Sequence, residues 1–131
     1  MEIYNLKFER DAQGRYFIGD HDDEKLNVIA ELLLDNQGRA DARTLIQNPQ
    51  QTSLKGPRFH FFNEPNGIIL VKLFNSEESL TEETNPRIID IERLHLDSLI
   101  NEWRDLMQEK PSFIMLSRRH DSDHISLLYQ P

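Results

Sequence analysis

The chain opens on an alternation. Tyr4, Leu6 and Phe8 fall on one side, and Asn5, Lys7 and Glu9 on the other. A period of two is the signature of a half-buried strand. Asp11-Ala12-Gln13-Gly14-Arg15 comes next, with a glycine free to take positive φ, and Tyr16-Phe17-Ile18 reads as the return. The pattern predicts a β-hairpin over 2–19.

Two templates compete over the next apolar stretch. Leu26, Ile29, Ala30 and Leu33 fit a helical stripe that Asp22 or Asp23 could cap, whereas Val28, Ala30, Leu32 and Leu34 alternate. Asp35-Asn36-Gln37-Gly38-Arg39 then echoes the string at 11–15. If the first copy is a hairpin turn, so is the second, with Arg43-Thr44-Leu45-Ile46 returning. This favours a strand at 27–34. Two copies are too few for a solenoid, and the echo is read as one favourable turn used twice.

Residues 47–58 are rich in Pro, Gly and amides and read as a surface loop. Phe59-His60-Phe61-Phe62 is a strand in which His60 faces opposite to its two neighbours. Pro65-Asn66-Gly67 supplies a tight turn, and Ile68 to Phe74 returns. Ile68-Ile69-Leu70-Val71 is apolar on both faces, as expected of a central strand covered on both sides. Residues 75–86 read as a long acidic loop, and Arg87-Ile88-Ile89-Asp90-Ile91 as a short strand. Leu96, Leu99, Ile100, Trp103 and Met107 then form one stripe at helical spacing. Asp97 suits the positive end of the helix dipole, and Pro111 closes the element, giving a helix over 95–109 with His95 near its start. Residues 112–116 and 124–129 form a last hairpin, with 118–123 as its polar tip.

Several hairpins, one amphipathic helix and no βαβ rhythm predict an α+β fold. The expected architecture is a mostly antiparallel sheet of successive hairpins packed by the single helix 95–109. No break in composition divides residues 1–131, so one domain is expected.

Composition narrows the chemistry. The chain has 131 residues and no cysteine, which removes disulfide scaffolds, thiolate metal sites and cysteine nucleophiles together. There are 23 Asp+Glu against 15 Lys+Arg, a net charge of −8. Such a chain is a poor ligand for nucleic acid, since phosphate contacts need clustered cations. No apolar run reaches the ~20 residues that span a bilayer, and the start at Met1 has no leader pattern. A cytoplasmic protein is expected, with no membrane association and no cofactor.

The acidic residues concentrate in two places. Asp20, Asp22, Asp23 and Glu24 form one cluster, and Glu77, Glu78, Glu82 and Glu83 the other. Either is sufficiently explained as solvated surface. Together they suggest a docking face for a basic protein, because complementary potential steers association and selects partners. Other constellations are weaker. His120, Asp121, Asp123 and His124 hold metal-ligand types, but at a hairpin tip, where Asp-Ser-Asp is also ordinary turn chemistry. Asp20-His21-Asp22 could tune a general base, yet no nucleophile accompanies it. Leu54-Lys55-Gly56-Pro57-Arg58 lacks the glycine spacing of a phosphate loop.

The expectation is therefore a non-enzymatic acidic binding protein, an immunity or inhibitor protein that blocks the active site of a cationic toxin such as a nuclease. One alternative is an acidic secretion chaperone for an effector protein, although no N-terminal amphipathic helix is evident. Another is a small metal-assisted enzyme using the 120–124 loop.

Overall fold

The computed structural model describes residues 2–19, 21–74 and 86–131. Among these residues, eight strands and three α-helices succeed one another. Strands β1 (Ile3–Arg10) and β2 (Tyr16–Phe17) make the expected opening hairpin. In its turn, Asp11 accepts from the backbone N–H groups of Gln13 and Arg15, each at 2.9 Å, and Gly14 takes φ +80°.

The next two elements correct the sequence reading. Residues Glu24–Leu34 form helix α1, not a strand, and the second Asp-x-Gln-Gly-Arg string opens helix α2 (Asn36–Gln47) instead of a hairpin. Leu26 to Ala30, Leu32 and Leu33 are all buried. Its polar face is reduced to a narrow stripe, with Glu24 exposed and Glu31 partly so, and the buried apolar run between them masks the helical period. The alternation over 28–34 was a coincidence within an apolar run. Asp23 caps α1 by accepting from the Leu26 N–H at 3.1 Å, and Asp35 caps α2 by accepting from the Gly38 N–H at 2.8 Å. Both copies of the repeated string therefore use aspartate as a backbone acceptor. The residues beyond each aspartate decide the outcome. Tyr16-Phe17-Ile18 extends after the first copy, whereas Gly38, Ala42 and Leu45 lie buried along one face of α2. Gly38 sits so close to Phe59 and Leu32 that a Cβ would come within 2.9 Å of each.

Strand β3 (Ser53–Lys55) lies within the predicted loop, and Arg58 ties that loop to α1 and its end through Glu31 at 2.9 Å and Asp35 at 3.8 Å. Strands β4 (Phe59–Glu64) and β5 (Ile68–Leu73) are joined by the expected turn, with Asn66 at φ 68° and Gly67 at φ 74°. In β5, Ile69, Val71 and Leu73 are buried while Ile68, Leu70 and Lys72 are only partly so. The strand is thus packed on one face, not both. On the other face His60 lies between Lys55 and Lys72 across the sheet. Burial pushes its imidazole pKa down, and the two lysines push it further. Strand β6 (Arg87–Glu92) leads directly into α3 (Arg93–Glu109), and β7 (Phe113–Arg119) and β8 (Ile125–Gln130) form the closing hairpin.

The strands form two antiparallel sheets, ordered β2-β1-β7-β8 and β3-β4-β5-β6. The fold is α+β, but among the described residues three α-helices serve it where one was expected. One core joins everything. It takes Leu6, Phe8, Ile114 and Leu116 from the first sheet, and Phe59, Phe61, Val71 and Ile89 from the second. Helix α1 touches β1 and β7 on one side and β6 on the other, so it is the central post. The stripe of α3 is buried at Leu96, Leu99, Ile100, Trp103 and Leu106, with the Trp103 ring 4.9 Å from Phe8 and 6.1 Å from Tyr16. No helix among the described residues is long and apolar enough to cross a membrane.

Candidate docking groove

Four pieces of chain meet at the start of α1: the cap residue Asp23, the outward face of β6, the first turn of α3, and the tip between β7 and β8. The meeting point is fastened by a mostly buried ion pair. Arg118, on β7, donates from Nε to Asp23 at 3.1 Å and closes the pair with a second contact at 2.5 Å; the side chains are 13% and 9% exposed. The same guanidinium donates to the Ser122 carbonyl at 2.8 Å and lies over the Tyr4 ring. Burial alone would raise the Asp23 carboxyl, but the bonds from Arg118 and the Leu26 N–H bring it below the usual carboxylate value. Arg118 is held charged in return.

His21 completes the fastening. Its Nδ1 accepts from the Asp23 N–H at 3.0 Å, so Nε2 carries the proton donated to the Asn5 carbonyl at 2.7 Å. Both ring nitrogens serve the backbone, which leaves neither for the general-base role considered from sequence.

Beside this joint is a groove. One part, of about 440 Å³, is lined by Lys25, Asp90, Glu92, Leu94, His95 and Asp123 among others. A second part, of about 380 Å³, shares Lys25, Asp90 and Asp123 and adds Glu24, Leu70 and Ile88. Glu24, Asp90, Glu92 and Asp123 are all exposed. Lys25 is only 12% exposed and reaches Asp123 at 3.6 Å and Asp90 at 4.0 Å, while those carboxylates are 89% and 69% exposed. The lysine therefore serves as a local anchor, and the carboxylates keep open sides toward solvent. Leu94 is 78% exposed and Ile88 43%, which puts apolar surface along the same groove.

His95 closes one wall. Its ring stacks on His124 at 4.5 Å between centroids, and its Nε2 accepts from the Ile125 N–H at 3.0 Å. Burial, His124 and Lys25 lower its pKa, and Glu92 opposes them. His120 turns elsewhere, 5.6 Å from the Tyr4 ring. The two histidines of the 120–124 tip thus face different neighbours. No group of three or more His, Cys, Asp or Glu among the described residues could hold a metal ion.

The predicted docking residues are distributed unevenly. Glu24 lines the groove, Asp22 is exposed just before α1, and Asp23 is turned inward to cap the helix and pair with Arg118. Asp20, Glu77, Glu78, Glu82 and Glu83 lie outside the described residues. Sequence reasoning missed Asp90 and Glu92, and considered Asp123 only as a metal ligand. The signal was present in Ile89-Asp90-Ile91-Glu92, where every second residue is acidic and the face between is buried. Family models, curated proteins and solved structures give no match to this chain.

Proposed function

We propose that the chain is a non-enzymatic, cytoplasmic binding protein that takes a basic segment of a protein partner into the groove beside α1. The partner that fits best is a cationic toxin such as a nuclease, which needs exposed Lys and Arg to hold substrate phosphates. Seating those cations against carboxylates would block the toxin's active site. The observation that carries this reading is the convergence of four exposed carboxylates around one largely buried lysine, in a chain of net charge −8. Charge complementarity accelerates encounter and rejects acidic competitors. Leu94 and Ile88 supply the apolar contact that slows release.

The test is capture from the native host's lysate with wild-type protein and with the triple variant Glu24→Lys/Asp90→Lys/Asp123→Lys. Because Asp90 and Asp123 also hold the largely buried Lys25, circular dichroism checks that the variant is folded, and Glu24→Lys/Glu92→Lys, which leaves Lys25 both partners, repeats the test. The wild type should retain a basic protein that the variant loses, and added wild type should inhibit that protein's own activity. Equal retention by both proteins contradicts the proposal.

A further inference from the structure

A second cleft lies at the other end of α1, and its charge is of the opposite sign. It encloses about 530 Å³ between the β1–β2 turn, the α1–α2 junction and the last turns of α3. That volume is typical of small-molecule sites. Leu34 and Met107, both partly exposed, give it apolar surface over the buried Leu33 and Trp103, and Arg15, Arg39 and Lys110 stand around it. Among the described residues no Asp or Glu lines it, although the chain has 23 acidic residues against 15 Lys and Arg.

Arg39 is the central group. It is half-buried, and its guanidinium donates to the Leu33 carbonyl and to Asn36 Oδ1. Both acceptors are neutral, and no ion pair to Arg39 is formed among the described residues. Desolvation lowers its pKa, with the Asp35 charge opposing. A guanidinium drawn partly out of water and left without a carboxylate contact is stabilised by any anion placed beside it. Arg15 is less available, since it pairs with Asp11 at 3.1 Å on the exposed turn. Lys110 is exposed at the end of α3.

We propose that this cleft binds a small organic anion, a ring-sized apolar body carrying a carboxylate or phosphate head. The head is taken by Arg39 and Lys110, and the ring lies against Leu34 and Met107, above the buried Trp103. The site is independent of the acidic groove and of the partner proposed for it. A basic protein segment would be repelled here, and an organic anion would be repelled there.

Trp103 is the chain's single tryptophan, so its emission reports on this cleft. The protein is titrated with phenylacetate and phenyl phosphate, and in parallel with 2-phenylethanol and phenethylamine. Trp103 emission and the heat of binding are both followed. Either or both anions should give saturable changes, with phenethylamine giving none and the alcohol binding at least about tenfold more weakly. A response to one anion alone identifies the preferred head group. Lys110→Glu, at an exposed position, should weaken the bound anion about tenfold, and about 0.5 M salt should weaken it in the wild type. The proposal is overturned if neither anion saturates below about 10 mM, a range weaker than ordinary metabolite binding. It is equally overturned if the alcohol binds as well as the anions, or if Lys110→Glu leaves anion affinity unchanged.

Discussion

At the scale of single residues, Asp23 does more than any other carboxylate described. It caps α1, pairs with Arg118 and donates its N–H to His21. Removing one member of a mostly buried pair leaves the other charged and desolvated, at a typical cost of about 3–5 kcal/mol. Asp23→Asn should therefore cost about 3 kcal/mol in chemical denaturation while keeping an oxygen for the cap. Asp23→Ala should cost about 1 kcal/mol more, the worth of the cap. Equal costs for the two variants would show that the side-chain cap contributes nothing. The folded carboxyl titrates below its ordinary value, so this stability is present above about pH 4 and is lost as pH falls through the lower, folded value. The cap was one of the two readings of the sequence, but the ion pair was not legible in the acidic string 20–24. A sequence shows that four carboxylates are neighbours but not which one points inward; that depended on an arginine 95 positions away.

At the scale of elements, legibility tracked the number of distinct faces. Helix α3 has a buried stripe and a solvated back, and its period placed it within two residues of the observed start. The hairpins β1–β2, β4–β5 and β7–β8 have one buried face and marked turns, and they too were readable. Helix α1 has only a narrow solvated edge, so its apolar run fits the period of 3.6 and the period of 2 alike. The misreading then spread to α2, because the repeated string took its meaning from the element before it.

The junction of α3 with the β7–β8 tip gives a test at this scale. His95 must be neutral at Nε2 to accept from Ile125, and its pKa is lowered by burial, His124 and Lys25, with Glu92 opposing. His60 is lowered in the same direction by burial and by Lys55 and Lys72. The unfolded chain takes up these protons near pH 6.5, before the folded chain does. Stability should thus be complete above that pH and fall as the pH drops from about 6.5 toward the lowered folded values. Urea denaturation between about pH 8 and 5 should show this decline, and His95→Gln should flatten part of it. An unchanged slope in that variant would remove His95 from the explanation.

At the scale of the whole molecule, two sheets share one core around α1, and the two ends of that helix open into clefts of opposite charge. The acidic end was half legible. Glu24 was identified, while Asp90, Glu92 and Asp123 joined it only through folding, since they lie on other segments of the chain. The basic end was not legible, because Arg15, Arg39 and Lys110 are isolated in the sequence.

The central claim is that the acidic groove takes a cationic protein segment by charge. It is tested most directly by the salt dependence of affinity for the captured basic partner, measured by calorimetry for the wild type and for Glu24→Lys/Asp90→Lys/Asp123→Lys. Exposed charges are screened over about 10 Å at 0.1 M salt and about 3 Å at 1 M. The wild-type Kd should rise at least about tenfold between about 0.05 and 0.5 M salt, and the variant should bind weakly at both with little salt dependence. A wild-type Kd that does not move with salt, or a variant that keeps the wild-type slope, would contradict it.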